Sequence, residues 1–182
     1  MIRRLAAASL LAPTLAPTLA LGLALSLSAS LAPQARAEEE ALVTFKVLAP
    51  QLAAELAMST LATCTERGFQ VAVAVVDRFG IPQAMLRARF AGPHTPDTAT
   101  RKAWTAVTFR SDTLSLAAAT QPGQPQSGAR SITGVLMLGG GLPIEVSGQV
   151  VGAIGVSGAP SGEEDAGCAQ AGLDSIQSKL PL

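Results

Sequence analysis

Several strand-forming runs in this sequence are joined by turns too short for a helical crossover, which limits the sheet to antiparallel pairing. The run FQVAVAVV at 69–76 is rich in Val and is followed by the turn Asp77–Gly80 and a second run at 82–90. Three further runs follow at 135–138, 142–146 and 150–156, separated by short Gly-containing turns. Strands connected in this way lie antiparallel, whereas parallel neighbours need a long crossover.

Helical signals occupy the segments between and around these runs. A helix over 50–67 begins at Pro50 and ends at Gly68, and a second helix follows Thr95, which we expect to cap it. After a short helical piece and a Pro/Gly-rich loop, Ser161 and Glu164 form an S-x-x-E capping box at the start of the last helix. The pattern predicts an α+β fold in the order α-β-β-α-α-β-β-β-α, with a five-stranded antiparallel sheet flanked by helices in a profilin-like layer architecture.

The first 37 residues have the three parts of a secretory signal. Arg3 and Arg4 form a basic start, residues 5–31 carry no charge, and Ala35–Ala37 is a small-x-small cleavage site. An uncleaved membrane anchor is the alternative, since an apolar stretch of this length can span a bilayer. We expect cleavage, a lead-in over 38–49, one domain over 50–180, and a periplasmic or secreted protein.

The composition excludes several classes of function. Three of the 13 basic residues and none of the 13 acidic residues lie in the first 37 residues, so the mature chain carries a small net negative charge. Such a chain has no attraction for nucleic acid or, once the signal is cleaved, for an anionic membrane. One His and two Cys are too few for the usual zinc cages.

Export changes the expected oxidation state of the two cysteines. Outside the cytosol, an even pair is typically bridged, and we expect a disulfide between Cys64 and Cys168. Closing a loop of that length stabilises a protein by about 4–5 kcal/mol in the chain-entropy description. The alternative is two separately buried thiols.

Few residues offer chemistry. The sequence contains no G-x-S-x-G nucleophile motif and no P-loop, and we identify no catalytic residue. His94 is the sole imidazole and can ligate haem iron or move a proton; the alternative is a surface His with neither role. Arg87 and Arg89 fall on one face of the predicted second strand and can pair with propionates or other carboxylates, the alternatives being solvation or a subunit contact. Lys102, off the apolar stripe of its helix, completes the candidate ligand-binding set.

Three segments together resemble the GlcG/HbpS haem-binding family, whose domain also forms the C-terminal part of PduO-type proteins. They are VAVVDRFGIPQAMLRARFAGPHT, TATRKAWTA and GGGLPIEVSGQVVGAIGVSGAPSGEEDAGCA, and the resemblance covers about residues 50–180. It implies the element order given above and assembly into homo-oligomers, from dimers to octamers. Some relatives bind haem and have been described as haem-degrading proteins or redox-linked sensors. In PduO-type relatives the iron ligand is a His on the first helix, and the helix over 50–67 has no His.

These observations favour an exported haem- or tetrapyrrole-binding domain with a binding role rather than a catalytic one. Haem is the expected cofactor, with His94 as the candidate iron ligand. An oligomeric accessory module that holds a small organic acid or a partner protein is the main alternative. An enzyme acting on haem or on a small hydroxy acid is the third.

Overall fold

A computed structural model describes residues 41–181, which form four helices and four strands with two short 3-10 turns. The helices are α1 (Pro50–Glu66), α2 (Thr95–Phe109), α3 (Thr113–Ala119) and α4 (Gly162–Ile176), and the 3-10 turns are Ser127–Ser131 and Gln177–Lys179. The strands are β1 (Ala72–Asp77), β2 (Pro82–Arg87), β3 (Gly141–Val146) and β4 (Gln149–Ser157). The predicted signal over 1–37 and the first residues of the predicted lead-in lie outside the described residues. No helix within 41–181 combines the length and the apolar character needed to cross a bilayer.

The strands form one antiparallel sheet in the order β2-β1-β4-β3. Both hairpins expected from the short turns are present, β1 with β2 and β3 with β4, and the two hairpins join through β1 and β4. The α+β class and the antiparallel pairing are therefore confirmed. The sheet has four strands, however, so the prediction of five is wrong.

The strand predicted over 135–138 is instead a strap, residues 132–138, that lies across α2. Its backbone groups bond to side chains of that helix: Leu136 N–H donates to Thr105 Oγ1 at 2.9 Å. Arg101 Nη2 donates to the carbonyl of Val135 at 3.0 Å. Because side chains of a helix satisfy this backbone, the apolar run has no need of a neighbouring strand.

The second strand is also shorter than predicted. It ends at Arg87, and Ala91 N–H donates to the carbonyl of Ala88 at 3.1 Å, which closes a turn. Arg89 lies in this turn. The expectation that Arg87 and Arg89 share one strand face is therefore wrong.

The sheet separates two helical layers that pack against side chains of different size. Val73 and Val75 of β1 belong to the apolar cluster that contains residues of α1 and α4. Ala72 and Ala74, which alternate with them, pack with Ala99 of α2 on the opposite face. Val73 and Val75 therefore face α1 and α4, while Ala72 and Ala74 allow α2 to lie close to the sheet.

Helices α1 and α4 are joined covalently and packed closely. A disulfide links Cys64, near the end of α1, to Cys168 of α4 across 104 residues, with a Cα–Cα separation of 5.6 Å. A Cβ atom on Gly172 of α4 would lie 1.8 Å from Thr60 Oγ1, so the two helices meet where one of them has no side chain.

Candidate functional site

A cleft of about 580 Å³ opens where α2 begins, beside the connection between β4 and α4. The first two turns of α2 form one side and the connection over 157–161 forms another. Leu136 and Leu138 of the strap also line the cleft. Other lining residues are Gln70, Phe90, Gly92, Gly162 and Asp165. The cleft therefore collects residues from five parts of the chain.

His94 lines this cleft and occupies the N-cap position of α2. Thr95 was expected to cap the helix but is its first residue, so that prediction is wrong by one position. The Thr95 hydroxyl instead donates to the carbonyl of Gly92 at 2.7 Å. A Cβ atom on Gly92 would lie 2.8 Å from His94 Cε1 and 2.9 Å from Nδ1. The missing side chain at 92 therefore lets the imidazole lie against the backbone.

The imidazole of His94 is available to a ligand. The side chain is exposed, and it does not cap the helix that it precedes. The carbonyl of His94 accepts hydrogen bonds from the backbone N–H and the hydroxyl of Thr98, both at 3.0 Å. These bonds fix the backbone without using the ring nitrogens.

Arg101 is a cleft residue that the sequence analysis missed. It follows His94 by seven residues, about two helical turns, so both side chains project from one face of α2. Its guanidinium donates to the carbonyl of Val135 and lies 3.9 Å from the carboxylate of Asp97, yet 43% of the side chain remains exposed. The seven-residue spacing was the signal that could have identified it.

Lys102 also lines the cleft, but its ammonium is paired inside the protein. Nζ lies 2.7 Å from Asp165 Oδ2 and donates to the carbonyl of Val156 at 2.9 Å, and the residue is 1% exposed. Burial lowers the pKa of Lys102 from its ordinary value, while the Asp165 carboxylate raises it. The ammonium predicted to contact a ligand therefore contacts a carboxylate of α4.

Asp165 was missed as a partner because three acids begin the last helix and all three suit its dipole. Of these, Asp165 is buried, and its Oδ1 accepts a hydrogen bond from the N–H of Ala159 at 3.0 Å. Burial raises the pKa of Asp165, and the Lys102 ammonium lowers it. Only the tertiary structure shows which of the three acids turns inward.

The two arginines predicted to bind carboxylates do not line the cleft. Arg87 Nη1 donates to the carbonyl of Ala91 at 2.5 Å and thereby holds the turn after β2. Arg89 is exposed in that turn. Of the four predicted ligand-binding residues, the structure brings His94 and Lys102 to one cleft, with Arg101 between them on the same helix.

Within residues 41–181, no three metal-binding side chains of His, Cys, Asp or Glu cluster together. The cleft instead offers one imidazole, one partly exposed guanidinium and apolar side chains at its rim. Such a set can bind a ligand that combines an apolar body with anionic groups and an atom that accepts an imidazole nitrogen.

Comparisons with known proteins agree on one family. The family model described as haem degrading protein HbpS-like matches residues 48–174. An uncharacterised 15.0 kDa protein of the dhaT–dhaS intergenic region of Citrobacter freundii is 34% identical over 124 residues, which are 67% of this chain and 87% of that protein.

Two solved structures are similar over most of their length. A double mutant of HbpS from Streptomyces reticuli is 34% identical, with a TM-score of 0.71 over 90% of this chain and 99% of that chain. PduOC, crystallised as a complex with haem, is 27% identical, with a TM-score of 0.67 over 71% of this chain and 95% of that chain.

Proposed function

Because the chain belongs to the HbpS-like family, we propose that it binds haem in the cleft beside His94. The observation that carries this proposal is the family match over 48–174, together with a similar structure, PduOC, that contains haem. The PduO-type ligand on the first helix has no counterpart here, because α1 contains no His. His94 at the start of α2 takes that role in the proposal.

The residues of the cleft fit such a group. Its volume of about 580 Å³ falls within the usual range for ligand pockets. His94 would supply the nitrogen for iron, and the exposed part of Arg101 would face a propionate. Phe90 and Leu138 are large apolar residues that are 79% and 47% exposed at the rim, where a flat apolar ring could cover them.

Bound haem would supply a redox-active iron, and the chain would hold and orient it. The imidazole lies against the Gly92 backbone, and the carbonyl bonds of Arg101 fix the direction of its guanidinium. Arg101 is therefore positioned before any ligand arrives, which lowers the entropic cost of binding.

A haemin titration tests the proposal. Saturable binding should shift the Soret band and quench the fluorescence of Trp104, the single Trp of the chain, which lies on α2, the helix that follows His94. His94→Ala should weaken binding by about tenfold or more, equal to about 1.4 kcal/mol. Arg89→Ala, an exposed change outside the cleft, should leave the affinity unchanged. No Soret shift in the wild-type protein would contradict the proposal.

Haem degradation is a second candidate, favoured by the description of the family model. Incubation of the loaded protein with a reductant and oxygen would distinguish it from simple binding. Loss of the Soret band with formation of a ring-opened product supports degradation, whereas a stable spectrum supports a binding role. A rise in melting temperature with small organic acids, in a protein that shows no haem spectrum, would favour the accessory module instead.

We also propose that the protein is exported and that its disulfide forms after export. The signal-like residues 1–37 and the Cys64–Cys168 pair support this proposal independently. N-terminal sequencing of the protein from the periplasm or medium should begin at Glu38. Assembly into a homo-oligomer is a further part of the proposal, and light scattering of the mature chain measures it.

A further inference from the structure

We propose that the Lys102–Asp165 pair positions the β4–α4 connection, residues 157–161, and thereby sets the affinity of the cleft without touching its ligand. The inference rests on the proposed function for its ligand. The positioning itself can be measured in the ligand-free protein.

The pair joins four parts of the chain through three hydrogen bonds. Lys102 of α2 reaches the carbonyl of Val156 in β4 at 2.9 Å and Asp165 Oδ2 of α4 at 2.7 Å. The other carboxylate oxygen, Oδ1, accepts from the N–H of Ala159 in the connection at 3.0 Å. Asp165 therefore uses one oxygen for the ion pair and the other for the wall of the cleft.

Within residues 41–181, the bond from Ala159 N–H to Asp165 is the side-chain anchor of the connection between its two ends. It leaves β4 at Ser157 and enters α4 at Ser161, whose hydroxyl accepts from Glu164 N–H at 3.2 Å. Asp165 lies one turn into α4, so its carboxylate points back toward the N-terminus and reaches Ala159. The bond to Ala159 is thus placed at the middle of the segment that lines the cleft.

The pair is enclosed by the backbone at Gly140, which lies between the strap and β3. A Cβ atom on Gly140 would lie 2.7 Å from Asp165 Cβ and 2.9 Å from Lys102 Nζ, and the side chains of the pair are 1% and 6% exposed. A buried ion pair often adds little net stability compared with apolar residues of similar size, because both charges lose water. A positioning role gives a reason for a buried ion pair at this place that its small contribution to stability does not give.

Two double variants separate the anchor from the charge. In the Asn double variant, Lys102→Met with Asp165→Asn, both charges are removed and the Asn carbonyl can still accept from Ala159 N–H. In the Leu double variant, Lys102→Met with Asp165→Leu, both charges are also removed and Ala159 loses its acceptor. The Leu side chain keeps the branch at Cγ but is larger than that of Asp. The two proteins differ in the polar end of residue 165, and only Asn offers an oxygen that can accept from Ala159 N–H.

We expect the amide of Ala159 to exchange with solvent at least about tenfold faster in the Leu double variant than in the Asn double variant, in the absence of ligand. Haemin should bind the Asn double variant within about threefold of wild type and the Leu double variant at least about tenfold more weakly. Equal Ala159 exchange in the two variants would overturn the positioning role. Where the wild-type protein binds haemin, equal haemin affinity of the two variants would also overturn it.

Leu56→Ala controls for lost stability, because Leu56 is buried between α1 and the sheet, outside the cleft lining. Measured where it remains folded, this variant should be less stable than wild type yet bind haemin normally. If the Leu double variant does not fold, Lys102→Met with Asp165→Ala provides the same comparison. Failure of the wild-type protein to bind haemin overturns the proposed function, and the Ala159 exchange alone then decides the positioning.

Discussion

A Cβ atom on Gly155 would lie 2.0 Å from the carbonyl oxygen of Ala99, so β4 and α2 meet without a side chain between them. The same Cβ would lie 2.7 Å from the backbone nitrogen of Ala103, one turn further along the helix. The cleft is built on this contact, because Arg101 and Lys102 lie in the part of α2 that meets Gly155, and His94 directly precedes this helix.

Gly155→Ala should destabilise the protein by roughly 1–3 kcal/mol or more, because α2 must move away from the sheet to admit the methyl group. Urea unfolding followed by circular dichroism measures the change. Gly128→Ala is the matched control, since a Cβ at that position meets nothing within 4 Å. Similar unfolding midpoints for the two variants would mean that the close approach is not required.

Removing the link between α1 and α4 should cost about 4–5 kcal/mol of unfolding free energy, the chain-entropy value for a loop of about 100 residues. A reductant should lower the melting temperature of the wild-type protein. The double variant Cys64→Ala with Cys168→Ala should melt at a lower temperature and ignore the reductant. Mass spectrometry that finds two free thiols in the exported protein would contradict this prediction.

Lys102→Met should make stability depend more steeply on pH. Burial raises the pKa of Asp165 above its ordinary value of 3.8, and the Lys102 ammonium lowers it. Because the substitution removes the ammonium, the pKa of Asp165 rises further. A carboxyl group whose folded pKa is raised adds stability below its unfolded pKa and loses that contribution as the pH rises through the folded pKa. The variant should therefore lose stability as the pH rises from the unfolded pKa of an Asp, about 3.9, through the raised folded pKa of Asp165. At neutral pH we expect a deficit of about 3–5 kcal/mol, because one partner of a buried ion pair is missing.

Urea unfolding at several pH values measures this deficit. Lys102→Met with Asp165→Asn has no carboxyl group to titrate at this site and should lack the additional slope. A parallel pH profile for Lys102→Met and the double variant would show that Asp165 is not the titrating group.

Gly92→Ala should weaken haem binding while leaving the fold intact, because the new methyl group would overlap the position of the His94 imidazole. The side chain of an exposed His can rotate away, so we expect an unfolding free energy within about 0.5 kcal/mol of wild type. The haemin affinity should fall toward that of His94→Ala. An unchanged affinity would indicate that His94 binds in another rotamer or is not the ligand.

Local signals predicted much of the fold. The turn Asp77–Gly80 and the cap at Ser161 act within a few residues, and both are present in the structure. Of the predicted capping box, the structure shows the bond from Glu164 N–H to the Ser161 hydroxyl. The run 135–138 was misassigned because its composition suits a strand, whereas its actual partners, Arg101 and Thr105, are about thirty residues away on a helix. Competition between a sheet edge and a helix surface cannot be read from the run itself.

The site was only partly predictable for the same reason. His94 was identified because it is the only imidazole, a property of composition. Asp165 was not identified as the partner of Lys102, because 63 residues separate the two side chains. Arg87 and Arg89 were placed together by an alternation that ends when β2 ends at Arg87.

The unequal faces of β1 determine where new specificity can be engineered. Val73 and Val75 on the α1–α4 face can be exchanged for other aliphatic residues, whereas Ala72 and Ala74 leave no space for larger side chains beneath Ala99 of α2. A library that enlarges residues on the alanine face would produce misfolded protein before it produced altered selectivity. Diversity is better directed to Leu136, Leu138 and Ala159, which border the cleft and lie outside the sheet.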